Sequence, residues 1–358
     1  MSWDAVVAGG GLAGAAAAAR LAMAGRRVLL LERTRGPHDK VCGEFLSGEA
    51  AAELTALGLP PAGLGAAPIA AVRLVAGRTV ATAGLPFAAW GLSRRRLDEL
   101  VLAEAARRGV TVRRGAQVRA LEAAGQGVRV EDDGASSLAT VALLATGKHE
   151  LRGWRRAGAP ASLGLKLHLR LAKAQQQALA GHVELALFAG GYAGLQLVED
   201  GVANLCLVVS RDRHVSLGRD WRRLVRAVPH LAARLADAQA LHARPLAVAG
   251  MPYGWLAGGT AEAPVYRLGD QAAVIPSFTG DGMAMALRSA RLAAEAILAG
   301  EPAPEFQRAL TAAFRGPVRL ASLLAALARP PTAQQLLAAT GRLAPWLLGR
   351  IAAGTRLG

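Results

Sequence analysis

The sequence is poor in cysteine and in aromatic residues. Of 358 residues, 2 are Cys and 4% are aromatic. Two cysteines cannot build a disulfide framework, so we expect a reducing, cytoplasmic compartment. Because aromatic side chains are scarce, so are the stacking platforms that single-stranded nucleic acids use. The 53% of hydrophobic residues excludes a disordered chain and predicts one large or two modest domains with a buried core.

Lysine is also rare, although the formal net charge is +16. Only four of the 42 basic residues are Lys, and no run of five or more basic residues occurs. An excess of dispersed arginine is more typical of compositional bias than of a nucleic-acid footprint. We therefore expect a small-molecule substrate and no nucleic-acid partner.

The sequence lacks a secretion signal and a long uncharged apolar run. Asp4 lies where a signal peptide would carry basic residues. No window of about 18 residues is both free of charge and rich in large apolar side chains, so no spanning helix is expected.

The C-terminal segment differs from the rest of the chain. No acidic residue follows Glu305, whereas seven Arg are spread among Leu and Ala residues at helical spacing. We favour a helical cap whose apolar face packs on the protein body. Peripheral contact with an anionic membrane surface is the alternative interpretation.

The N-terminal region contains a nucleotide-binding pattern. Residues 4–8 predict a short buried strand, and Gly9-Gly10-Gly11-Leu12-Ala13-Gly14 follows at once. Residues 15–24 predict an Ala-rich helix, and residues 27–31 predict a second strand that leads to Glu32. This order of strand, turn, helix, strand and acid is typical of a dinucleotide-binding unit.

Each part of the pattern has a separate role. Gly9 allows the sharp turn, Gly11 lets the backbone approach a pyrophosphate, and Gly14 lets the helix pack closely on the strand. The helix N-terminus offers free N–H groups to the phosphates. Glu32 can accept from the ribose hydroxyls of an adenosine, and its charge disfavours NADP; NAD and FAD both remain open here.

Residues 267–297 resemble the second FAD fingerprint of the para-hydroxybenzoate hydroxylase-like superfamily. That superfamily includes aromatic hydroxylases, flavin halogenases and geranylgeranyl reductases. The resemblance implies that Asp270 holds ribityl hydroxyls and that Pro276 stiffens the loop. It also implies that Gly280-Asp281-Gly282-Met283 opens a helix whose N–H groups face the flavin.

A second segment, Ser93-Arg94-Arg95-Arg96-Leu97-Asp98, resembles the Arg-x-x-Leu-Asp helix start that supports FAD in the same superfamily. The resemblance implies that Arg94 reaches the pyrophosphate or the ribityl chain. The alternative is a solvated basic helix start that Ser93 caps. Residues 141–147 end in Ala-Thr-Gly, which resembles the strand that returns to the nucleotide-binding domain.

Together these resemblances imply an FAD-binding set spread over the chain. Its members are Gly9, Gly11, Leu12, Ala13, Gly14, Glu32, Arg33, Cys42, Gly43, Arg94, Val118, Gly269, Asp270, Pro276, Gly280, Asp281, Gly282 and Met283. NAD(P)H is the electron donor that the family suggests. Residues 145–152 lack the Asp-Gly pair of the hydroxylases, which leaves that donor open.

Two residues are candidates for catalysis. Cys42 lies in Cys42-Gly43-Glu44, which combines a Cys-Gly pair seen in geranylgeranyl reductases with a Gly-Glu pair seen in halogenases. It can donate a proton or tune the flavin, or it is simply a small buried side chain. Tyr192 matches the first residue of the Tyr-x-Trp-x-Phe-Pro motif of isoprenoid reductases, but Gly194 replaces the Trp. The chain lacks a Trp-x-Trp-x-Ile-Pro segment, so halogenation is the least favoured chemistry.

The middle of the chain predicts a sheet. Residues 164–171 alternate strictly between apolar and other residues, which is typical of a half-buried strand. Lys166, His168 and Arg170 then share one face. We expect this face to be solvated; binding of an acidic substrate group is the alternative. The His and Cys spacing predicts no metal site.

We therefore expect an α/β fold with a Rossmann-type FAD-binding domain, an interleaved antiparallel β-sheet substrate domain and a helical C-terminal tail. The expected bounds are 1–75, 90–160 and 262–300 for the first, 76–89 and 161–261 for the second, and 301–358 for the tail. The expected function is an FAD-dependent oxidoreductase, foremost a monooxygenase of an apolar or aromatic metabolite. A C=C reductase and a non-catalytic flavin or membrane-surface electron-transfer protein are the alternatives.

Overall fold

The structure is a computed structural model that describes residues 2–158, 162–258, 264–354 and Arg356. The domain boundaries expected at 160–161 and at 261–262 lie at or within the gaps between the described residues. Within the described residues the chain forms strands in two separate sheets and a set of helices that cover them.

The strands are numbered in chain order. They are β1 (Trp3–Ala8), β2 (Val28–Glu32), β3 (Phe45–Leu46), β4 (Ala67–Ala76), β5 (Thr79–Gly91), β6 (Thr111–Arg114), β7 (Ala120–Ala124), β8 (Gly127–Glu131), β9 (Ser136–Leu144), β10 (Ser162–Arg170), β11 (Gly181–Phe188), β12 (Gly191–Leu197), β13 (Ala203–Ser210), β14 (Gln239–Ala240), β15 (Leu246–Ala249) and β16 (Val265–Arg267).

The helices follow the same convention. They are α1 (Leu12–Met23), α2 (Gly48–Ala56), α3 (Arg94–Arg107), α4 (Lys173–Leu179), α5 (Arg211–Ser216), α6 (Trp221–Arg226), α7 (Pro229–Arg234), α8 (Gly282–Ala299), α9 (Ala303–Leu327), α10 (Pro331–Leu343) and α11 (Pro345–Gly354).

The first sheet has the order β6-β2-β1-β9-β8-β7, with β16 also paired to β9. The pairs among β6, β2, β1, β9 and β16 are parallel, and the β7-β8-β9 meander is antiparallel. The strand order reverses at β1, which lies between β2 and β9. Ligands bind outside the carboxyl ends of parallel strands at such a reversal, so this edge is the expected nucleotide site.

Helix α1 packs closely on this sheet because its contact face consists of small residues. Every residue from Leu12 to Ala19 is buried. A Cβ at Gly14 would lie 2.0 Å from the Gly9 carbonyl oxygen, so only glycine allows this approach. The role predicted for Gly14, close packing of helix on strand, is therefore confirmed.

The second sheet has the order β14-β10-β13-β12-β11-β4-β5-β3, with β15 also paired to β10. Its pairs are antiparallel except for β11 with β4. One expected boundary is wrong, because β4 was assigned to the FAD-binding part as far as residue 75. Strands β4 and β5 form a hairpin with a two-residue turn, and such a hairpin cannot be divided between two sheets.

The C-terminal helices cap the protein body, as the favoured interpretation predicted. Helix α9 buries Phe306, Phe314 and Val318 in the core that also contains α1 and α8. Helices α10 and α11 bury Ala338 and Leu348 against the β4–β5 hairpin. Among the described residues α9 is the one helix that is long and apolar enough, by these two criteria, to cross a membrane.

Candidate active site

A large cavity opens at the carboxyl ends of β1 and β2. Its volume is about 1340 Å³, which exceeds the upper value of about 1,000 Å³ that is typical of one small-molecule site. It runs from the nucleotide edge of the first sheet, past the second sheet, to helices α9, α10 and α11. The cavity therefore has room for a cofactor and a substrate together.

Most of the residues predicted to bind FAD line this one cavity. They are Gly9, Gly11, Leu12, Ala13, Glu32, Arg33, Cys42, Gly43, Arg94, Val118, Gly269, Asp270, Pro276, Gly280, Gly282 and Met283, and Tyr192 lines it as well. Gly14 and Asp281 are not in its wall. The structure thus brings together segments that are more than 250 residues apart in the chain.

Glu32 is a buried, fixed acceptor at the end of β2. Its Oε2 accepts from the Gly10 backbone N–H at 2.7 Å, and its Oε1 accepts from the Thr34 N–H at 2.9 Å and hydroxyl at 2.7 Å. Burial opposes ionisation, but the hydrogen bonds from Thr34 and Gly10 hold the pKa of Glu32 below its usual value. The side chain is therefore an anion, as an acceptor for ribose hydroxyls should be.

Two cations converge beside Gly11. A Cβ at Gly11 would lie 3.2 Å from Lys40 Nζ and 3.8 Å from Arg94 Nη2. Asp98 orients both cations, because its Oδ2 accepts from Lys40 Nζ at 2.7 Å and its Oδ1 from Arg94 Nε at 2.8 Å. Burial would raise the pKa of Asp98, but Arg94 and Lys40 hold that pKa below its usual range. The sequence missed Lys40, whose signal was its position just before the Cys-Gly pair.

These observations fit a dinucleotide cofactor. The missing Cβ of Gly11 leaves a cradle between two cations at the start of α1, where a pyrophosphate is attracted by charge and by free N–H groups. Glu32 provides the acceptor at the adenosine end. Serine is confirmed as the cap of α3, since Ser93 Oγ accepts from Arg96 N at 3.2 Å, but this cap does not replace the role of Arg94.

The far end of the cavity is formed by the loop before α8. Gly280 has φ +75°, and a Cβ there would lie 2.7 Å from a ring carbon of Phe45, so glycine is required. Helix α8 begins at Gly282 without a side-chain cap, which leaves N–H groups of its first turn for a ligand. Gly282 and Met283 line the cavity at this helix start, as the fingerprint implied.

Asp281 departs from the predicted cofactor contact. Its side chain is fully buried, lies outside the cavity wall and accepts from Arg356 in the C-terminal tail. Arg356 also donates to the Thr279 carbonyl at 3.2 Å and stacks on the Phe87 ring at 4.4 Å. Burial raises the pKa of Asp281 to about 7, although Arg356 opposes the shift. The tail thus fixes the α8 loop from behind.

The segment with Cys42 lies over the cavity and is fixed by the second sheet. Asn204 Nδ2 donates to the carbonyl oxygens of Cys42 at 3.1 Å and Gly43 at 2.8 Å. Gln196 Nε2 donates to the Glu44 carbonyl at 2.8 Å. Glu44 itself has φ +58°, a left-handed conformation that is uncommon for a residue with a side chain.

Lys166 and His168 are not on a solvated face, so that prediction is wrong. Both side chains are buried and bind Glu44, with His168 Nε2 at 2.7 Å from Glu44 Oε2 and Lys166 Nζ bound to Oε1. The Arg94 backbone N–H also donates to Oε1 at 2.8 Å. The 39–44 loop covers this face of β10, while Leu165, Leu167 and Leu169 fill the other. Arg170, at the strand end, is exposed.

Asp39, His168 and His242 bring one ligand atom each within 4.8 Å of one another, a spacing that a metal ion could use. However, Lys166 Nζ lies 3.6 Å from Asp39 Oδ1 and Arg95 Nη1 lies 3.9 Å from Oδ2. Side-chain cations therefore already neutralise this carboxylate, and we interpret the group as an ion-pair cluster. That no metal binds stays a prediction.

Two tyrosines share one serine in the cavity wall. The Tyr192 hydroxyl is 2.5 Å from Ser277 Oγ, and the Tyr253 hydroxyl is 3.1 Å from the same atom. Burial raises the pKa of Tyr192 well above its usual value and that of Tyr253 to about 12. Both hydroxyls keep their protons at neutral pH. Tyr253 was missed because it lies in an irregular segment with no motif.

Comparison with known proteins defines the class of the fold. Residues 2–137 match the family described as "FAD binding domain". The chain therefore has an N-terminal FAD-binding domain, and its overall fold is that of Rossmann-type FAD-dependent oxidoreductases.

Particular relatives are similar over short or distant matches. A 58-residue segment is 53% identical to the menaquinone reductase of Mycobacterium tuberculosis, covering 16% of this chain and 14% of that protein. A 56-residue segment is 50% identical to the menaquinone reductase of Mycolicibacterium smegmatis, also 14% of its length. Each match thus spans about one seventh of the curated relative.

Solved structures match the whole fold at low identity. The myxobacterial chondrochloren halogenase CndH superposes with a TM-score of 0.79 at 22% identity, covering 99% of this chain and 91% of that one. The flavin-dependent brominase Bmp2 superposes with a TM-score of 0.80 at 16% identity, covering 100% and 95%. At these identities the likeness shows the fold alone.

Removing the Glu44 carboxylate should destabilise the protein strongly. In Glu44→Ala the buried Lys166 and His168 lose their acceptor, and we expect the free energy of unfolding to fall by about 3–5 kcal/mol. Urea unfolding measures the loss. The exposed Glu122→Ala is the control, and an equal effect of the two substitutions would refute the role of Glu44.

The Asp281 carboxyl should make stability depend on pH. Its pKa is about 7 in the fold against an ordinary 3.8, so its stabilising contribution is complete below the ordinary value and is lost as the pH rises through 7. The wild type should therefore lose stability relative to Asp281→Asn between about pH 4 and pH 7.

Urea midpoints across this range give the comparison. Asp133→Asn is the control, because that carboxyl is exposed and its pKa is lowered. A difference between wild type and Asp281→Asn that does not change with pH would contradict the assignment. Arg356, Glu49 and Thr279 are the groups that act on this carboxyl.

Proposed function

We propose that the protein is an FAD-dependent monooxygenase that acts on an apolar or aromatic small molecule. The observation that carries the proposal is the continuity of the cavity. The cavity that begins at Gly11 and Glu32 ends in a chamber with aliphatic walls. Those walls are formed by Val72, Leu74, Leu85, Val183, Leu185, Leu187, Leu324, Leu327, Leu336, Leu337, Leu348 and Ile351.

The residues of the cavity have separable tasks. When bound, FAD supplies the redox chemistry, including the reaction of its reduced form with oxygen. Lys40 and Arg94 bind the pyrophosphate, and Glu32 orients the adenosine. The N–H groups at the start of α8 stabilise negative charge that develops beside them.

The chamber controls water and protons. Its aliphatic walls exclude water, which protects a reactive oxygen species from side reactions and favours apolar substrates. Tyr192 donates a hydrogen bond to an oxygen atom of the substrate, and Ser277 links it to Tyr253. Cys42 lies in the same cavity wall, where its thiol is a second candidate proton donor.

A C=C reductase is the second candidate. Two observations favour it: the tyrosine hydroxyls that stay protonated can supply the proton that accompanies a hydride, and a 58-residue segment is similar to menaquinone reductases. An extended apolar chamber would then hold a long apolar chain rather than an aromatic ring. NAD(P)H is the proposed electron donor for either reaction.

Isotope labelling separates the two reactions. FAD-loaded protein is reduced with dithionite without oxygen and then mixed with a panel of alkylphenols and a short-chain menaquinone. Incorporation of ¹⁸O from ¹⁸O₂ into a product supports monooxygenation. Anaerobic gain of two hydrogens by the menaquinone supports the reductase instead. Reoxidation that leaves every probe unchanged contradicts both and leaves an electron carrier.

Tyr192→Phe should slow product formation by about 10²-fold, because a positioned acid contributes at least that much. FAD affinity should not change, since the hydroxyl faces Ser277 and not the pyrophosphate cradle. Tyr266→Phe is the matched control: its hydroxyl binds the Glu301 carbonyl, away from this cavity. Equal rates for the two variants would remove Tyr192 from the mechanism.

A further inference from the structure

The C-terminal helices expose a cluster of large apolar side chains. Within the described residues, six of the twelve exposed large apolar side chains lie between positions 320 and 346. They are Leu320, Leu323, Leu327, Leu336, Leu343 and Trp346, which we call the C-terminal apolar surface. Single exposed apolar residues are ordinary, but a group of this density marks an interaction site.

The orientation of α9 follows from its two faces. Leu320, Leu323 and Leu327 follow the i, i+3, i+7 spacing that places side chains on one face of a helix. Phe314 and Val318 lie in the core of the protein, on the other side. The helix therefore lies along the protein with its second apolar face outward, an arrangement that suits a helix on a membrane surface rather than one that crosses the membrane.

Exposed arginines surround the same surface. Arg315 and Arg319 precede Leu323 at intervals of four, on the same side of α9. In α11 the Arg350 guanidinium lies 5.8 Å from the Trp346 ring centre. The exposed arginines of this segment are Arg308, Arg315, Arg319, Arg329, Arg342 and Arg350, and no acidic residue follows Glu305. This charge is complementary to anionic lipid headgroups.

The C-terminal apolar surface is continuous with the chamber of the proposed active site. Leu327 and Leu336 are 59% and 69% exposed, and both also line the cavity. They come from different helices, α9 and α10. The apolar wall of the chamber thus extends to the outer surface at the place where the apolar cluster lies.

We propose that the C-terminal apolar surface binds an anionic lipid bilayer, with the leucines and Trp346 in the interfacial region and the arginines on the headgroups. A substrate with an apolar chain then passes from the bilayer into the chamber between Leu327 and Leu336. This second step rests on the proposed function, whereas binding to the bilayer does not.

Vesicle binding tests the proposal with the full, FAD-loaded chain. We expect co-sedimentation with vesicles of phosphatidylglycerol and phosphatidylcholine, and loss of it in the triple variant Leu323→Asp, Leu343→Asp, Trp346→Asp. These three side chains do not line the cavity, so FAD absorbance reports that the variant is folded. The control places the same three charges elsewhere, as Leu138→Asp, Val215→Asp and Leu241→Asp, and should bind as the wild type does.

Charge gives a second arm. Changing Arg319, Arg329, Arg342 and Arg350 to Gln should weaken binding to these vesicles roughly tenfold or more, with little effect on phosphatidylcholine alone. No binding to anionic vesicles, or equal binding by the two aspartate triple variants, would overturn the proposal. A dimer in light scattering without vesicle binding would also overturn it, by assigning the surface to a second copy. None of these readouts depends on turnover, so failure of the proposed reaction would leave them interpretable.

Discussion

One buried carboxylate joins the parts of the proposed active site. Glu44 has no exposed surface, and it binds Lys166 and His168 of the second sheet and the backbone of Arg94 at the start of α3. Burying a charge is costly unless partners compensate it, and here three donors do so. The segment that carries Glu44 is therefore held between the two sheets in one position.

The position of that segment determines what surrounds the cofactor. Four residues before Glu44, Lys40 reaches Asp98 and the cradle at Gly11; two residues before it, Cys42 faces the cavity. The same charge cluster thus orders one phosphate-binding cation and one side chain of the proposed reaction chamber. At the other end of the cavity Arg356 binds Asp281 and fixes the loop that begins α8. The ends of the cavity are held by ion pairs, and the wall between them is apolar.

Local patterns predicted the parts of this site that depend on neighbouring residues. The glycines of the β1–α1 turn, the acid at the end of β2 and the start of α8 each require a particular residue within a few positions, so their roles could be predicted from spacing. The boundary of the β4–β5 hairpin could not, because it depends on which strands pair. The partners of Glu44 were also beyond local reasoning. Polar residues that alternate with leucines look the same whether water or a charged loop covers them, and Lys166 lies 122 residues from Glu44. Arg356 and Asp281 are separated by 75 residues and belong to no shared motif.

The most direct test of the account is the affinity of the apo protein for FAD, measured by quenching of flavin fluorescence. The account predicts one FAD bound per chain and loss of that binding in Gly11→Val, whose side chain would fill the cradle between Lys40 and Arg94. Gly134→Val, which has nothing within 4 Å of its added Cβ, should bind as the wild type does. A wild-type protein that takes up no FAD, or a Gly11→Val protein that retains it fully, would contradict the central claim.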